Sequence, residues 1–181
     1  MFVFIDTATT EIYTLSRHDA LPVWGISIDR VLQGIDAAAA AGLAPIKINA
    51  VVQRGVNDHT VVDLARHFKN SGHIVRFIEY MDVGNRNGWK WDQVVPAAEI
   101  VQQIDAEMPL EPVDSNYPGE VANRYRYRDG QGEIGVISSV SQPFCANCTR
   151  SRLSTHGKPY PCLFPTPGVR LRDAMRPGAR A

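Results

Sequence analysis

Short apolar runs alternate with helical patterns over the first 80 residues, and this alternation restricts the fold more than any other feature of the sequence. Residues 2–5, 45–52 and 74–80 read as strands, because they are short and rich in β-branched and aromatic side chains. Residues 29–41 and 58–70 place apolar side chains at helical spacing between those strands. Strands that alternate with helices in this way indicate β-α-β units and a parallel sheet. The sequence therefore predicts an α/β protein.

Each of these two predicted helices carries an apolar stripe that would face the sheet. Glycine follows both helices, at Gly42 and Gly72, where a residue with positive φ commonly ends a helix. The stripes consist of Val31, Leu32, Ile35 and Ala39 in the first helix and of Val61, Leu64, Ala65 and Phe68 in the second.

The sequence after Met81 is less regular and predicts fewer elements. Pro96 to Ile104 reads as a short helix. Residues 124–128 and 133–138 flank the sequence Asp-Gly-Gln-Gly, and Asp-Gly supplies the positive dihedral angles of a tight turn. These two segments are therefore predicted to form a β-hairpin.

Two basic side chains lie on predicted strands among apolar neighbours. On the strand 45–52, Lys47 and Asn49 share the face opposite the apolar residues, and Arg76 lies inside the next strand. In a parallel barrel that face points into the lumen. A buried cation is costly unless it meets an anion. The partner is either a carboxylate such as Glu79 or an anionic ligand in the lumen.

The composition argues against some classes of partner. The chain has 19 Lys and Arg residues and 19 Asp and Glu residues, so its formal net charge is zero. A neutral balance does not favour nucleic acid or an anionic membrane. No segment approaches the roughly 18 apolar residues that a membrane span needs, and the N-terminus does not resemble a signal peptide. We therefore expect a cytoplasmic protein without nucleic-acid or membrane partners.

The three cysteines of the chain, Cys145, Cys148 and Cys162, all lie in one short stretch near the end of the sequence. Two thiolates on one turn and a third from a returning loop suit a metal centre better than a secreted disulfide framework. The metal is either zinc, with His156 or another fourth ligand, or an iron-sulfur cluster with one iron left open. Three unrelated buried cysteines are the third explanation. Spacing alone does not separate zinc from a cluster.

Two arginines, Arg150 and Arg152, follow Cys148 closely. Guanidinium groups beside an open coordination position would suit a phosphorylated ligand. Solvated surface arginines would have the same sequence, so the pattern leaves both interpretations open.

Several motifs in register resemble one family. The pattern Phe-Cys-x-x-Cys-x-Arg-x-Arg-Leu at residues 144–153, with Gly157 and then Cys-Leu-Phe from Cys162, is similar to the C-terminal cluster signature of the GTP 3′,8-cyclases. These are radical-SAM enzymes of molybdenum cofactor biosynthesis. The resemblance extends from about residue 2 to residue 178, and it includes in the same order the stretches 34–38, 46–51, 54–58 and 76–81.

This resemblance implies a fold and an activity. Residues 1–84 would be the C-terminal part of an incomplete (β/α) TIM-like radical-SAM barrel, and residues 85–181 an α+β region that carries an iron-sulfur cluster and binds GTP. The family's reaction converts GTP to 3′,8-cyclo-7,8-dihydro-GTP with S-adenosylmethionine, which makes the family a group of lyases. An alternative is a non-catalytic nucleotide-binding or assembly module that is stabilised by a bound zinc ion or iron-sulfur cluster.

The resemblance also implies roles for individual residues. Cys145, Cys148 and Cys162 match the three ligands of a 4Fe-4S cluster that binds GTP through its open iron. Met81 matches a residue at the S-adenosylmethionine site. The residues that match GTP-contacting positions are Lys47, Arg76, Arg150, Ser151 and Arg152. No catalytic residue is assigned.

The chain departs from the family pattern in several places. No cysteine precedes Cys145, so the Cys-x-x-x-Cys-x-x-Cys motif of the second 4Fe-4S cluster is absent. Phe4-Ile5-Asp6 stands where the family has Ser-Leu-Asp, and Thr149 stands for an asparagine. Residues 21–27 look like an insertion without a functional explanation. We expect S-adenosylmethionine and the second cluster only in the full-length enzyme, and we expect this chain to be inactive alone.

The resemblance further implies partners. GTP is the expected ligand. An incomplete barrel leaves strand edges bare, so either the missing N-terminal half or a second copy of the chain, as a homodimer, is expected to cover them. Cyclic pyranopterin monophosphate synthase is expected to act downstream in the pathway.

Overall fold

The computed structural model describes residues 3–4, 13–14, 28–82, 88–148, 150–153, 158–160 and 162. The chain divides into two compact units, of which the first comprises Met1–Met81 and Lys90–Phe144 and the second Asp82–Trp89 and Cys145–Ala181. The border expected between residues 84 and 85 stays a prediction. Within the described ranges no helix is long and apolar enough to cross a membrane.

The first unit contains three helices and seven strands among its described residues. Short 3-10 turns precede the second and third helices, at Asp58–Thr60 and Trp91–Gln93. In chain order the elements are β1 (Val3–Phe4), β2 (Tyr13–Thr14), α1 (Ile28–Ala40), β3 (Lys47–Val52), α2 (Val61–Phe68), β4 (Ile74–Glu79), α3 (Ala97–Glu107), β5 (Leu110–Val113), β6 (Asn123–Tyr127) and β7 (Glu133–Ile137).

Five of these strands form one mixed sheet in the order β3-β4-β7-β6-β5. The pairs β3-β4 and β4-β7 are parallel, whereas β7-β6 and β6-β5 are antiparallel. β1 and β2 form a separate antiparallel pair. The predicted α/β class is confirmed, and the sheet extends well past residue 84.

The three helices share one hydrophobic core with the sheet. The apolar face of β3 is buried, as the alternation predicted, and it includes Ile48, Ala50 and Val52 together with the preceding Ile46. Phe77 of β4 is fully buried in the same core. The helical members of the core are Val31, Ile35, Ala38, Val61, Ala65, Phe68, Ile100 and Ile104. Burial of this face leaves the other face of β3 and β4 for polar side chains.

The predicted helices are confirmed with small corrections. In α1 the residue that enters the core is Ala38, while Ala39 is exposed, so the predicted stripe was wrong by one position at its end. Leu32 and Leu64 pack against the core but are only partly buried. The helix predicted from Pro96 begins at Ala97 and continues to Glu107.

The predicted hairpin is confirmed as β6 and β7. Their register pairs Arg126 with Glu133, and the turn between them contains Gly130 at φ 76° and Gly132 at φ 105°. β5 adds a third antiparallel strand that the sequence did not predict.

The second unit holds the cysteine stretch. Its described elements are a 3-10 turn at Cys145–Asn147 and the antiparallel pair β8 (Arg152–Leu153) and β9 (Pro159–Tyr160). The predicted insertion at residues 21–27, Thr149, His156 and Gly157 lie outside the described residues.

Candidate functional site

A row of four residues crosses the first unit's sheet on the face opposite the hydrophobic core. Asn49 of β3 pairs with Arg76 of β4, Arg76 pairs with Gly135 of β7, and Gly135 pairs with Arg124 of β6. We call the sheet surface that carries this row the polar face. The row places one amide, two guanidinium groups and a residue without a side chain on neighbouring strands.

Asn49 holds the side chain of Arg76 by a direct hydrogen bond. Nε of Arg76 donates to Oδ1 of Asn49 over 2.6 Å. Asn49 is only 7% exposed, so its amide is not free to turn toward solvent. A bond from Nε defines the plane of the guanidinium group and therefore the direction of its terminal nitrogens.

Gly135 provides the space that the stem of Arg76 occupies. A Cβ at this position would lie 3.1 Å from Cγ of Arg76 and 3.2 Å from Cβ of Ala122, closer than ordinary van der Waals contact. The glycine is not in the positive-φ group of this chain. Glycine is therefore required here because it has no side chain, and not because the backbone adopts an unusual conformation.

Lys47 lies on the polar face two residues before Asn49. Strand geometry places the Cα atoms of Lys47 and Arg76 roughly 8 Å apart on adjacent parallel strands. Lys47 is partly buried, and no carboxylate among the described residues forms an ion pair with it. The prediction that Lys47 and Arg76 share one face is confirmed by this register.

Glu79, the carboxylate considered as a partner for these cations, faces the other way. It is three residues after Arg76 on β4, so the two side chains point to opposite faces. Glu79 is fully buried and accepts hydrogen bonds from the backbone N–H groups of Ala97, Val140 and Ser141, each at 2.7 Å. Of the two alternatives left open for these cations, pairing with Glu79 is therefore excluded.

The other arginine of the row is neutralised within the sheet. Nη2 of Arg124 lies 2.6 Å from Oε2 of Glu133, and both side chains are less than one-fifth exposed. The hydrogen bond to Glu133 is the main reason that the pKa of Arg124 is raised. The charge of Arg124 is therefore already compensated by a carboxylate of the neighbouring strand.

The cysteines are exposed and lie in the second unit. The N–H of Cys148 points to the carbonyl oxygen of Cys145 over 3.4 Å, which closes the turn that carries both thiols. Nη2 of Arg150 donates to Sγ of Cys148 over 3.4 Å. Among the residues that the structure describes, no three Cys, His, Asp or Glu side chains are grouped as a metal site. The structure therefore does not assemble Cys145, Cys148 and Cys162 around one centre.

The donor set nevertheless fits an iron-sulfur cluster in its chemistry. Three thiols occur in the same compact unit, and a guanidinium N–H already contacts one sulfur. An N–H donor to sulfur stabilises the negative charge of a thiolate ligand.

The remaining predicted site residues are distributed over both units. Met81 is partly buried and lies two residues after the end of β4, the strand that carries Arg76. Ser151 is exposed, and Arg152 begins β8, where it pairs with Tyr160. The structure thus brings Lys47 and Arg76 together, and it places Arg150, Ser151 and Arg152 in the unit that carries the cysteines.

Comparison with known proteins assigns the family. The family model described as Molybdenum Cofactor Synthesis C matches residues 73–181, which is more than half of the chain. The chain belongs to the Molybdenum Cofactor Synthesis C family. The match includes β4 with Arg76, the hairpin with Gly135 and the complete cysteine stretch.

Curated relatives of this Molybdenum Cofactor Synthesis C protein carry one name. It is 58% identical over 151 residues to a GTP 3′,8-cyclase of Acidothermus cellulolyticus, an alignment that covers 83% of this chain and 42% of the relative. It is 51% identical over 151 residues to a GTP 3′,8-cyclase of Xanthomonas campestris, covering 83% and 44%. A GTP 3′,8-cyclase of Staphylococcus saprophyticus is 46% identical over 155 residues, covering 85% and 45%. The chain spans less than half the length of these relatives.

Sequence reasoning missed three residues that shape the polar face and its surroundings. Asn49 was placed on the correct face without a role, although an amide between the buried residues Ile48 and Ala50 is itself a signal. Glu79 was placed without regard to strand parity, which already separates it from Arg76. Gly135 had no signal in the sequence, because its importance depends on which strand lies beside β7.

Proposed function

We propose that this chain is the GTP-binding part of a GTP 3′,8-cyclase, which converts GTP to 3′,8-cyclo-7,8-dihydro-GTP in molybdenum cofactor biosynthesis. The observation that carries the proposal is the polar face, where Asn49 holds the Arg76 guanidinium and Lys47 lies on the adjacent strand. Two cations on one face of a sheet favour an anionic ligand. The triphosphate of GTP supplies that negative charge.

Lys47 and Arg76 contribute to GTP binding in different ways. A guanidinium group presents its donors in a rigid fork that matches two phosphate oxygens, and Asn49 sets the orientation of that fork. A lysine ammonium is a compact point charge that follows the phosphates without a fixed geometry. Together the two residues orient the nucleotide and compensate its charge.

Cys145, Cys148 and Cys162 are the proposed ligands of a 4Fe-4S cluster. When it is bound, its remaining iron supplies an open coordination position for an atom of GTP. Arg150 and Arg152 add positive charge beside these ligands, and Ser151 adds a hydroxyl that can donate or accept a hydrogen bond. Residues 85–181 are then the proposed cluster and GTP-binding region of the enzyme.

The rest of the reaction is assigned to the remainder of a full-length cyclase. The remainder would hold the second 4Fe-4S cluster, which would supply the cleavage of S-adenosylmethionine, because this sequence has no further cysteines for it. Residues 1–84 are proposed to be the C-terminal part of a radical-SAM (β/α) barrel, with Met81 at the S-adenosylmethionine site. The chain alone is expected to bind GTP without turnover, as a lyase component that needs the other half or a second copy.

The proposed location is the cytoplasm, where free thiols stay reduced. The product is expected to pass to cyclic pyranopterin monophosphate synthase, which acts next in the pathway.

Anaerobic reconstitution of the full chain with iron and sulfide tests the proposal. We expect about four iron and four sulfide per chain, together with GTP binding by titration calorimetry. Lys47→Met should weaken GTP binding at least tenfold, whereas Lys90→Met, at an exposed lysine of the same unit, should change it less than twofold. Equal GTP affinity in all three proteins would remove the polar face from the binding site.

Metal analysis separates the proposal from its alternative. Stoichiometric zinc without sulfide would contradict the cluster and support a non-catalytic, zinc-stapled nucleotide-binding or assembly module. The exposure of all three cysteines is compatible with either metal.

A further inference from the structure

Glu79 is the only carboxylate among the described residues that is fully buried, and all of its hydrogen-bond donors are neutral. Oε1 accepts from the N–H of Ala97 over 2.7 Å and from the hydroxyl of Ser141. Oε2 accepts from the N–H groups of Val140 and Ser141, both over 2.7 Å. Burying a carboxylate without a cation is costly unless its oxygens are fully hydrogen-bonded, and four donors meet that requirement.

These four bonds connect three separate parts of the first unit. Glu79 is the last residue of β4, Ala97 is the first residue of α3, and Val140 and Ser141 lie in the loop after β7. The N-cap residue of α3 is Pro96, which makes no side-chain capping bond. The carboxylate of Glu79 therefore satisfies an N–H group at the positive end of the α3 dipole.

The loop held by Glu79 leads directly to the cysteine stretch. Ser141 precedes Cys145 by four residues in the sequence. On the other side, Glu79 follows Arg76 by three residues on β4 and precedes Met81 by two residues in the sequence. One buried carboxylate thus connects the strand that carries Arg76 to the backbone from which Cys145 follows.

We propose that Glu79 is a positioning residue, which anchors the loop after β7, at Val140 and Ser141, to the end of β4. It acts through Val140 and Ser141 and contacts neither GTP nor a cluster. The inference rests on the proposed function, since the anchored loop leads along the chain to the proposed cluster ligands. Its direct consequence, a loop anchored by Glu79, is measurable without any ligand.

Amide hydrogen exchange on the full chain tests the anchor. Glu79→Gln replaces one accepting oxygen by an NH2 group that faces N–H donors. We expect exchange at Ala97, Val140 and Ser141 to accelerate at least tenfold relative to the wild-type chain. Ser141→Ala removes the hydroxyl bond and leaves three, so it should produce a smaller acceleration of about threefold. It also tests the anchor if Glu79→Gln does not fold.

GTP titration of the reconstituted chain separates positioning from loss of stability. Ile104→Val, a core truncation in α3 away from the loop, serves as a control for lower stability. We expect Glu79→Gln to raise the Kd for GTP at least tenfold and Ile104→Val to change it less than twofold. The inference would be overturned if Glu79→Gln and Ile104→Val had equal exchange rates at Val140 and Ser141. Equal Kd values for GTP in these two variants would also overturn it. A wild-type chain that does not bind GTP would contradict the proposed function, and the exchange rates alone would then decide whether Glu79 anchors the loop.

Discussion

Nε of Arg76 donates a hydrogen bond to Oδ1 of Asn49 on the neighbouring parallel strand, over 2.6 Å. The bond joins a charged donor to a nearly buried neutral acceptor, so it orients the guanidinium group without cancelling its charge. A carboxylate in place of Asn49 would hold Arg76 equally well and would neutralise it. The amide therefore suits a site where the positive charge is needed for a ligand.

Substitution of Asn49 tests this arrangement. Asn49→Ala should weaken GTP binding by roughly tenfold, or about 1.4 kcal/mol, because Arg76 loses its fixed orientation. Asn49→Asp should weaken it further, because the new carboxylate competes with phosphate for the guanidinium group. Titration calorimetry measures both effects. Asn123→Ala, at an exposed asparagine of β6, is the matched control and should leave GTP affinity unchanged. Tighter binding by Asn49→Asp would contradict the role of the amide.

Gly135→Ala is expected to disturb Arg76 through its stem. The new methyl group would meet Cγ of Arg76 at 3.1 Å and Cβ of Ala122 at 3.2 Å. Overpacking of this kind costs about 1–3 kcal/mol of stability, measured by denaturant unfolding. Gly34→Ala is the matched control, since nothing lies within 4 Å of its Cβ position in α1. There alanine should stabilise the chain by roughly 0.5–1 kcal/mol. Similar effects at the two sites would contradict the close approach of Arg76 to β7.

The local pattern of the sequence was sufficient to predict most helices and strands. It was not sufficient to predict which strands pair with one another. Alternation on the strand 45–52 correctly placed Lys47 and Asn49 opposite the core, because side-chain direction in a strand depends only on parity. The pairing of Arg76 with Gly135 joins residues far apart in the chain, and no local periodicity encodes it. β5 was missed because it is short, contains Pro112 and lies at the sheet edge, where proline is tolerated.

The cation-carboxylate pairs of the first unit should differ in strength according to their burial. Arg124 and Glu133 are 17% and 18% exposed, whereas Arg66 and Glu107 are more than half exposed. Glu133→Gln should cost about 2 kcal/mol, because it leaves a partly buried guanidinium without its charged partner. Glu107→Gln should cost less than about 1 kcal/mol, because solvent screens the exposed pair. Urea unfolding of both variants measures the difference. A larger loss at Glu107 would contradict this dependence on burial.

Tyr127 is expected to make the chain sensitive to alkaline pH. Burial, with the nearby charge of Asp129, raises the pKa of Tyr127 to about 12 from its ordinary value of 10.0. The unfolded chain releases this proton first, so stability is complete below pH 10 and falls as the pH rises toward 12. The loss attributable to Tyr127 should approach roughly 2 kcal/mol, measured as the free energy of unfolding at both pH values.

Tyr127→Phe should remove that alkaline loss. At neutral pH it should cost about 1 kcal/mol, because the hydroxyl donates to the carbonyl oxygen of Ala65 over 3.3 Å. Tyr125→Phe on the same strand leaves Tyr127 in place and should retain the alkaline loss. An unchanged pH dependence in Tyr127→Phe would assign the effect to another group.

In the candidate site, too, contacts between residues adjacent in the sequence could be predicted, whereas contacts between distant residues could not. The Cys-x-x-Cys turn and the arginines beside it follow from adjacent residues, and the structure places Arg150 against Cys148 as that proximity suggests. Strand parity alone would also have given the direction of the Glu79 side chain, although it was not used for that residue. Parity does not give its hydrogen-bond donors, because Ala97 and Ser141 reach it from elements that are distant in sequence.

The parallel pairing of β4 with β7 has a consequence for how the chain acquires its structure. Val75 pairs with Ile134, so 58 residues separate the partners along the chain. During synthesis one edge of β4 can pair with β3 as soon as β4 leaves the ribosome. Its other edge stays unpaired until α3, β5, β6 and finally β7 have been synthesised. Long-range pairing of this kind folds slowly and exposes an unpaired edge in the meantime. Until β7 has been synthesised, the open edge of β4 is therefore expected to be prone to pairing with other chains.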